Sequence, residues 1–149
     1  MTNNSETALR IKKWQKKMFW MMWITYASFY LLRVNISIAM PSIMSEFGLT
    51  KTNMGIVLTS LFFAYAIGQF INGQLGDKIN ARRIITIGLI SSAILNIIFG
   101  IAAGSLVLMA ILWGINGYVQ SMGWGPTVKT KANRFPKKIR GKISGKLGT

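Results

Sequence analysis

"IITIGLISSAILNIIFGIAAGSLVLMAILWGINGYVQSMGWGPTV", residues 84–128, is a run of 45 residues without a charged side chain. As a single helix it would be about 68 Å long, more than twice the thickness of a hydrocarbon core of about 30 Å. The run must therefore cross a membrane twice, with a turn near "GIAAGS", residues 100–105. We expect one helical span at about residues 84–103 and another at about 106–125.

Two more stretches of this kind precede the long run. Residues 18–40 contain a single charge, Arg33, and we expect Pro41 to end this span because proline lacks a backbone N–H. Residues 52–76 contain no charge and predict a span at about 53–75. With 51% hydrophobic residues, the chain is predicted to be an all-α membrane protein with four transmembrane helices.

The basic residues predict the orientation of these helices. Sixteen Lys and Arg side chains flank the spans on one side, whereas Lys51 alone lies on the other. By the positive-inside rule both termini are cytoplasmic in a multi-pass protein of the cell membrane. Residues 1–17 are then a basic cytoplasmic amino terminus. Residues 126–149 are a basic cytoplasmic loop and the start of a fifth helix, since Ile139, Ile143 and Leu147 recur every four residues.

Composition excludes several function classes. A net charge of +15 would fit a nucleic-acid-binding protein, but the basic residues lie next to the apolar spans. We therefore predict the lipid bilayer as the partner of these residues and no nucleic-acid partner. The chain has no Cys and no His, and its spans contain no carboxylate. The spans therefore offer no ligands for a metal site and no side chains for a general acid-base pair. We predict neither an enzyme nor a bound cofactor.

Two polar stripes run along the first two spans. Residues spaced by three or four positions share one face of a helix, so each stripe faces a single direction. We expect the two faces to meet across a watered cavity. The first stripe consists of Tyr26, Tyr30, Arg33 and Ser37, and the second of Tyr65, Gln69 and Asn72.

Arg33 has two interpretations at this point. Its side chain could extend to the lipid headgroups, because at helical rise only about 10 Å separates it from Met40. Alternatively, it could face the interior and bind an anion, since a mid-membrane arginine costs on the order of 2.5–3.5 kcal/mol and usually has a partner. No acidic residue lies in any span, so that partner would come from outside the chain. A phosphate suits the planar guanidinium group, which donates two parallel hydrogen bonds.

Small residues recur every four positions along the third span and in two separate runs along the fourth. This pattern lets membrane helices approach closely, and we interpret it as packing inside a helical bundle rather than as a functional site. The positions are Gly88, Ser92, Asn96, Gly100 and Gly104 in the third span, and Ala110, Gly114, Gly117, Ser121 and Gly125 in the fourth.

The stretch "GQLGDKINARR", residues 73–83, resembles the loop between the second and third spans of major facilitator transporters. In that superfamily the loop helps to hold the two halves of the transporter together on the cytoplasmic side. The resemblance implies the same gating role here, and it assigns the fold to part of the amino-terminal half of a major facilitator protein. The matching residues are Gly73, Gly76, Asp77, Arg82 and Arg83.

Three further motifs resemble a narrower family, the organophosphate:phosphate antiporters. They are "YASFYLLRVNISIAMP", "FAYAIGQFINGQLGD" and "GYVQSMGWGPTVKT", which occur in this order along the chain. The resemblance implies that Arg33 binds the substrate phosphate and that Tyr26, Tyr30 and Tyr65 line the same cavity. Gln69 falls within this substrate site but departs from the family, since the glycerol-phosphate and hexose-phosphate exchangers carry lysine there.

The resemblance also implies a function for a longer protein. Such transporters have twelve spans, so we expect this chain to be a truncated or fragmentary amino-terminal part of a phosphate-ester:inorganic phosphate antiporter that does not transport alone. A second chain that supplies the missing helices is one alternative. Others are a phosphate-ester sensor or membrane interaction protein without transport, and a non-functional remnant. The organic part of the substrate and the oligomeric state are left open.

Overall fold

Four helices make up the chain. The computed structural model describes residues 2–102, 104–134, 141 and 144–145, with side chains at 7, 9–75, 79–101, 104–130, 141 and 144–145. All four helices are long and apolar enough to cross a membrane, which confirms the predicted fold class. The start of a fifth helix falls mostly outside the described residues, as does Ala103 at the end of the third predicted span. The helices are α1 (Thr2–Phe47), α2 (Lys51–Lys78), α3 (Ala81–Ala102) and α4 (Leu106–Arg134).

Short connections join these helices. Gly48 adopts a φ of 62° after α1, and the Thr50 side chain then accepts a hydrogen bond from the Asn53 N–H at 3.2 Å. The Asn80 side chain accepts from the Arg82 N–H at 3.0 Å at the start of α3. Ser105 caps α4 in the same way, with a bond from the Leu108 N–H at 3.2 Å. The turn between α3 and α4 therefore lies within the predicted residues 100–105.

Pro41 does not end the first helix, and that prediction was wrong. Helix α1 continues through it to Phe47, and α4 likewise contains Pro126. A proline removes only one helical N–H, so Pro41 leaves a single carbonyl, that of Ser37, without its usual donor. Membrane helices tolerate this where the carbonyl meets another donor. Both helices are consequently longer than the predicted spans.

Helix α4 is the centre of the bundle. It packs along α2 and α3, while α1 contacts the other helices much less. Large apolar side chains on α1 consequently stay on the outer surface, with Leu31 71% and Ile38 82% exposed. Such a surface suits lipid or neighbouring membrane helices. The main core cluster consists of Ile36, Met54, Val57, Leu61, Phe99, Met109, Leu112 and Trp113.

Glycine allows α2 and α3 to lie close to α4. A Cβ at Gly117 would collide with the Leu61 backbone, and one at Gly88 would come 3.1 Å from the Val119 carbonyl oxygen. These contacts confirm the packing role predicted for both glycines. Gly100 and Gly104 differ, because a Cβ at either would meet nothing within 4 Å. The predicted role is therefore wrong for these two positions among the described residues.

Candidate functional site

Arg33 lies inside the bundle, between α1, α2 and α4. Its Nε donates a 2.7 Å hydrogen bond to Oε1 of Gln120 on α4. Its Cζ lies 4.5 Å from the ring centroid of Tyr65 on α2, which is a cation–π contact. The side chain is half-buried and points toward the other helices. Extension to the headgroups is therefore the wrong interpretation, since Arg33 points toward α2 and α4. Binding of an anion by Arg33 stays a prediction.

Behind Gln120 lies a chain of buried polar side chains. Gln120 Nε2 donates to Ser92 Oγ at 3.2 Å, and Ser92 Oγ donates to Asn116 Oδ1 at 2.6 Å. All three residues are at most 1% exposed. Because the Gln120 amide donates to Ser92, its oxygen is directed toward Arg33. Buried polar groups are stabilising only when they are paired, so this chain fixes the acceptor that holds the guanidinium.

Polar bonds also hold α1 in place beside Arg33. Asn96 Nδ2 donates to the Leu32 carbonyl at 3.1 Å, and Asn116 Nδ2 donates to the same oxygen at 3.4 Å. Asn35 Nδ2 donates to Asn96 Oδ1 at 2.6 Å. Since α1 packs only lightly against the bundle, these bonds fix its position at the level of Arg33.

The predicted stripe on α2 is only partly on this site. Gln69 Nε2 donates to Tyr65 Oη at 2.7 Å, so Gln69, Tyr65 and Arg33 form one connected group. The two stripes therefore meet at these three residues, whereas a watered cavity between them stays a prediction. Asn72 is 1% exposed and donates to Ser121 Oγ at 2.7 Å between α2 and α4. It belongs to the helix interface, and its assignment to the cavity was wrong.

The two tyrosines of α1 differ in their surroundings. The Tyr26 ring lies 5.7 Å from the ring of Trp124, one turn beyond Gln120 on α4. Tyr30 shares the helix face of Arg33 but is 57% exposed. Both tyrosines thus lie on the side of α1 that carries the guanidinium, and the Tyr26 ring packs against α4 at Trp124.

The group around Arg33 is positively charged. The acidic residues of the whole chain are Glu6, Glu46 and Asp77. Glu46 is thirteen residues further along α1, about 20 Å at helical rise, and Asp77 is about 18 Å from Tyr65 along α2. Arg33 therefore has a neutral acceptor and an aromatic ring for partners rather than a carboxylate. Since Gln120 takes only one of its five N–H donors, the guanidinium can bind an anion.

The predicted gating loop lies at the connection between α2 and α3. Only residues 79–80 separate these helices, and Gly73, Arg82 and Arg83 are exposed. The surroundings of Gly76 and of the Asp77 side chain fall outside what the structure describes. The role of this loop stays a prediction.

Comparison with protein families decides the relationship. The family model of the Major Facilitator Superfamily matches residues 22–149, which is most of the chain. The chain belongs to this superfamily. It is accordingly a multi-pass membrane protein of a transporter family rather than an enzyme.

Curated relatives of this major facilitator chain include two whose names print a phosphate ester and one named as a membrane sensor. It is 35% identical to the "Probable hexose phosphate transport protein" of Chlamydia pneumoniae, over 89% of this chain and 29% of the relative. It is 37% identical to the glycerol-3-phosphate transporter of Bacillus subtilis, over 93% and 32%. It is 34% identical to the membrane sensor protein UhpC of Escherichia coli, over 86% and 28%. These names confirm the resemblance to organophosphate:phosphate antiporters.

The major facilitator chain spans less than a third of the length of each of these relatives.

The residues of α4 that contact Arg33 and Tyr26 were not identified from the sequence. Gln120 and Trp124 were not singled out, and Ser92 was assigned to helix packing alone. A signal was available, because Asn116, Gln120 and Trp124 recur every four residues and so share one face of α4. The partner of that face, however, lies on α1 and depends on how the major facilitator helices pack.

Proposed function

We propose that this chain forms the phosphate-binding wall of a phosphate-ester:inorganic phosphate antiporter. Arg33 binds the phosphoryl group of the substrate. The names of its relatives support the substrate class, since they include hexose phosphate and glycerol-3-phosphate transporters. The distribution of basic residues supports a position in the cell membrane with both termini cytoplasmic.

The observation that carries this proposal is the set of partners around Arg33. Gln120 binds Nε, and the Tyr65 ring contacts the guanidinium at its face. This arrangement leaves the N–H groups on Nη1 and Nη2 for a ligand. Two parallel bonds from one guanidinium to two phosphate oxygens are short, charge-assisted and geometrically specific. A phosphate ester would therefore supply the countercharge that the spans of this chain lack.

The aromatic residues shape the rest of this wall. The hydroxyl of Tyr65 accepts a bond from Gln69, so its own O–H remains available as a donor to substrate. Tyr26 packs on Trp124 and Tyr30 is exposed on the same face of α1. We assign these tyrosines to the lining of the substrate cavity, where they bind the organic part of the ester.

Exchange needs a second wall, because alternating access moves two halves of such a protein around a shared site. We therefore do not assign transport to the four helices alone. In the complete transporter, substrate would lower the barrier to reorientation and the loop at residues 73–83 would stabilise cytoplasmic closure. Such exchange requires no bound cofactor.

Binding of radiolabelled phosphate and glycerol-3-phosphate to the chain in lipid nanodiscs tests the role of Arg33. We expect saturable binding that Arg33→Ala abolishes and that Lys51→Gln, which removes a distant cation, leaves unchanged. Equal binding by the wild type and Arg33→Ala would refute the assignment. Where neither binds, the same pair of variants is compared by uptake in a chimera that contains the remaining helices of the Bacillus subtilis transporter.

One observation favours a second candidate, a phosphate-ester sensor. Gln69 is neutral and its amide is used by Tyr65, so this position supplies no second cation. The similarity to a membrane sensor protein is of the same order as that to the transporters. In the chimera, ligand-dependent protection from proteolysis without counterflow of labelled phosphate would support the sensor over the antiporter.

A further inference from the structure

The amino-terminal part of α1 is an amphipathic helix outside the predicted membrane span. Helix α1 has 46 residues, whereas about 20 suffice to cross the hydrocarbon core. With the predicted span at residues 18–40, the residues before Met18 lie at and beyond the membrane surface. They include "LRIKKWQKK", residues 9–17, in which five of nine side chains are basic.

Ile11 and Trp14 lie on the face opposite the lysines of this segment, whereas Leu9 falls on the lysine face. At 100° per residue, Ile11, Trp14 and Met18 fall within about 60° of one another. The four lysines are centred on the opposite face, and they are Lys12, Lys13, Lys16 and Lys17. A polar face rich in lysine opposite a tryptophan-containing apolar face is the pattern of helices that lie in the membrane interface.

The apolar face has no cover within the described bundle. Trp14 is 62% exposed and Ile11 is 52% exposed. Lys17 Nζ lies 5.7 Å from the centroid of the Trp14 ring, a cation–π contact within the same segment. Trp20 and Trp23 follow on α1 with 49% and 38% of their surface exposed. Tryptophan side chains collect at headgroup depth, which places this segment at that level.

Charge decides which surface covers the segment. Between residues 7 and 45 the chain contains no acidic residue, so the five basic residues of the segment outnumber the one carboxylate near it in sequence, Glu6. Residue 18 enters the hydrocarbon core, and the segment is therefore held within one or two helical turns of the phospholipid phosphates. Polybasic segments beside a span attract anionic lipids over a distance of about a Debye length.

We propose that residues 9–17 bind anionic phospholipid headgroups of the leaflet at the basic end of the bundle. Trp14 and Ile11 insert at the boundary between headgroups and acyl chains, and the lysines contact lipid phosphates. A lipid surface is favoured over nucleic acid or a protein partner because the adjoining span keeps both faces of the segment beside the membrane. This surface is distinct from the Arg33 site, which lies about 24–36 Å away along α1 at helical rise.

The absence of cysteine makes the test direct. Ile11→Cys places a spin label on the apolar face, and Lys12→Cys places one 100° around the helix, at the edge of the lysine face. The two labelled chains are reconstituted in nanodiscs of phosphatidylcholine alone and of phosphatidylcholine with 30% phosphatidylglycerol. Power saturation then measures contact with dissolved oxygen, which concentrates in lipid, and with a water-soluble nickel complex.

We expect the label at position 11 to be protected from nickel at least about threefold more strongly with phosphatidylglycerol present, and the label at position 12 to remain accessible. Lys13, Lys16 and Lys17 changed together to Gln should remove the lipid dependence. Changing Lys78, Arg82 and Arg83 to Gln removes the same number of charges from the same side of the membrane and should leave the lipid dependence of the label at position 11 unchanged. Equal accessibility in both lipids, or equal effects of the two triple variants, would overturn the proposal.

Discussion

Arg33 and Gln120 are 87 residues apart in the chain, and the Nε–H of Arg33 donates a 2.7 Å hydrogen bond to Oε1 of Gln120. Gln120 is in turn oriented by Ser92, whose hydroxyl accepts from its Nε2. A neutral acceptor therefore positions the cation without neutralising it. A carboxylate at position 120 would neutralise this cation, whereas an alanine would only release it.

Gln120→Glu should weaken phosphate binding more than Gln120→Ala. The glutamate has nearly the same shape but introduces a carboxylate beside Arg33, which would compete with the anion for the guanidinium. We expect about a threefold to tenfold loss for the alanine variant, from misplacement of Arg33, and a larger loss for the glutamate variant. Isothermal titration with phosphate in nanodiscs measures both. The reverse order would show that Gln120 acts only through its bulk.

Arg33→Lys should bind phosphate about tenfold or more weakly than the wild type. Lysine keeps the charge but cannot donate to Gln120 while presenting a planar fork to two phosphate oxygens. Losing one charge-assisted hydrogen bond costs about 1.5–3 kcal/mol, and 1.4 kcal/mol corresponds to a factor of ten. Equilibrium dialysis with labelled phosphate provides the measurement. Unchanged affinity would mean that charge alone matters at this position.

Gln69→Lys should tighten phosphate binding. The change places a cation on α2 one turn from Tyr65, whose ring already contacts Arg33. Two cations near one anion share its charge, and we expect a gain of about threefold to tenfold at low salt, with less at high salt because of screening. Titration at two ionic strengths checks both statements. Unchanged binding would place Gln69 outside the reach of the anion, and weaker binding would contradict the predicted gain.

Gly117→Ala should destabilise the bundle by about 1–3 kcal/mol, since overpacking forces backbone shifts. Its new Cβ would collide with the Leu61 backbone and separate α2 from α4. Gly100→Ala is the matched control, because a Cβ there meets nothing within 4 Å and alanine is the better helix former. Unfolding in detergent mixtures, followed by circular dichroism, compares the two variants. Equal midpoints would contradict the packing described for α2 and α4.

A single cysteine reports the orientation of the helices. Thr52→Cys lies at the end of the bundle with one basic residue, and Ile79→Cys at the strongly basic end, and both positions are exposed. With both termini cytoplasmic, a membrane-impermeant maleimide should label Thr52→Cys in intact cells and Ile79→Cys only after permeabilisation. The opposite labelling pattern would reverse the assigned orientation.

Much of this fold could be predicted from local sequence. Uncharged runs longer than a bilayer, with charges between them, predict membrane helices because an unpaired charge or a free backbone group is costly in lipid. The turn near residues 100–105 follows from length alone. Pro41 was misjudged, because a membrane helix can continue when one carbonyl loses its donor. Whether a helix continues through a proline depends on the surroundings of the helix, which the local sequence does not show.

The partners of each polar side chain were decided by tertiary structure. Helical periodicity places Asn72 and Gln69 on neighbouring turns of α2, yet Asn72 binds Ser121 in the interface and Gln69 binds Tyr65 at the site. The close approach of α2 and α4 at Gly117 determines which turn is covered.

Local sequence is enough to predict the membrane class, the four helices, the lone cation in the first span and the resemblance to phosphate-ester antiporters. These follow from the cost of charge in lipid and from motifs contiguous along the chain. That Arg33 points inward, and that Gln120 positions it, follows from the packing of the helices. A hydrogen bond between residues 87 positions apart depends on how α1 and α4 pack, and no local pattern encodes that distance.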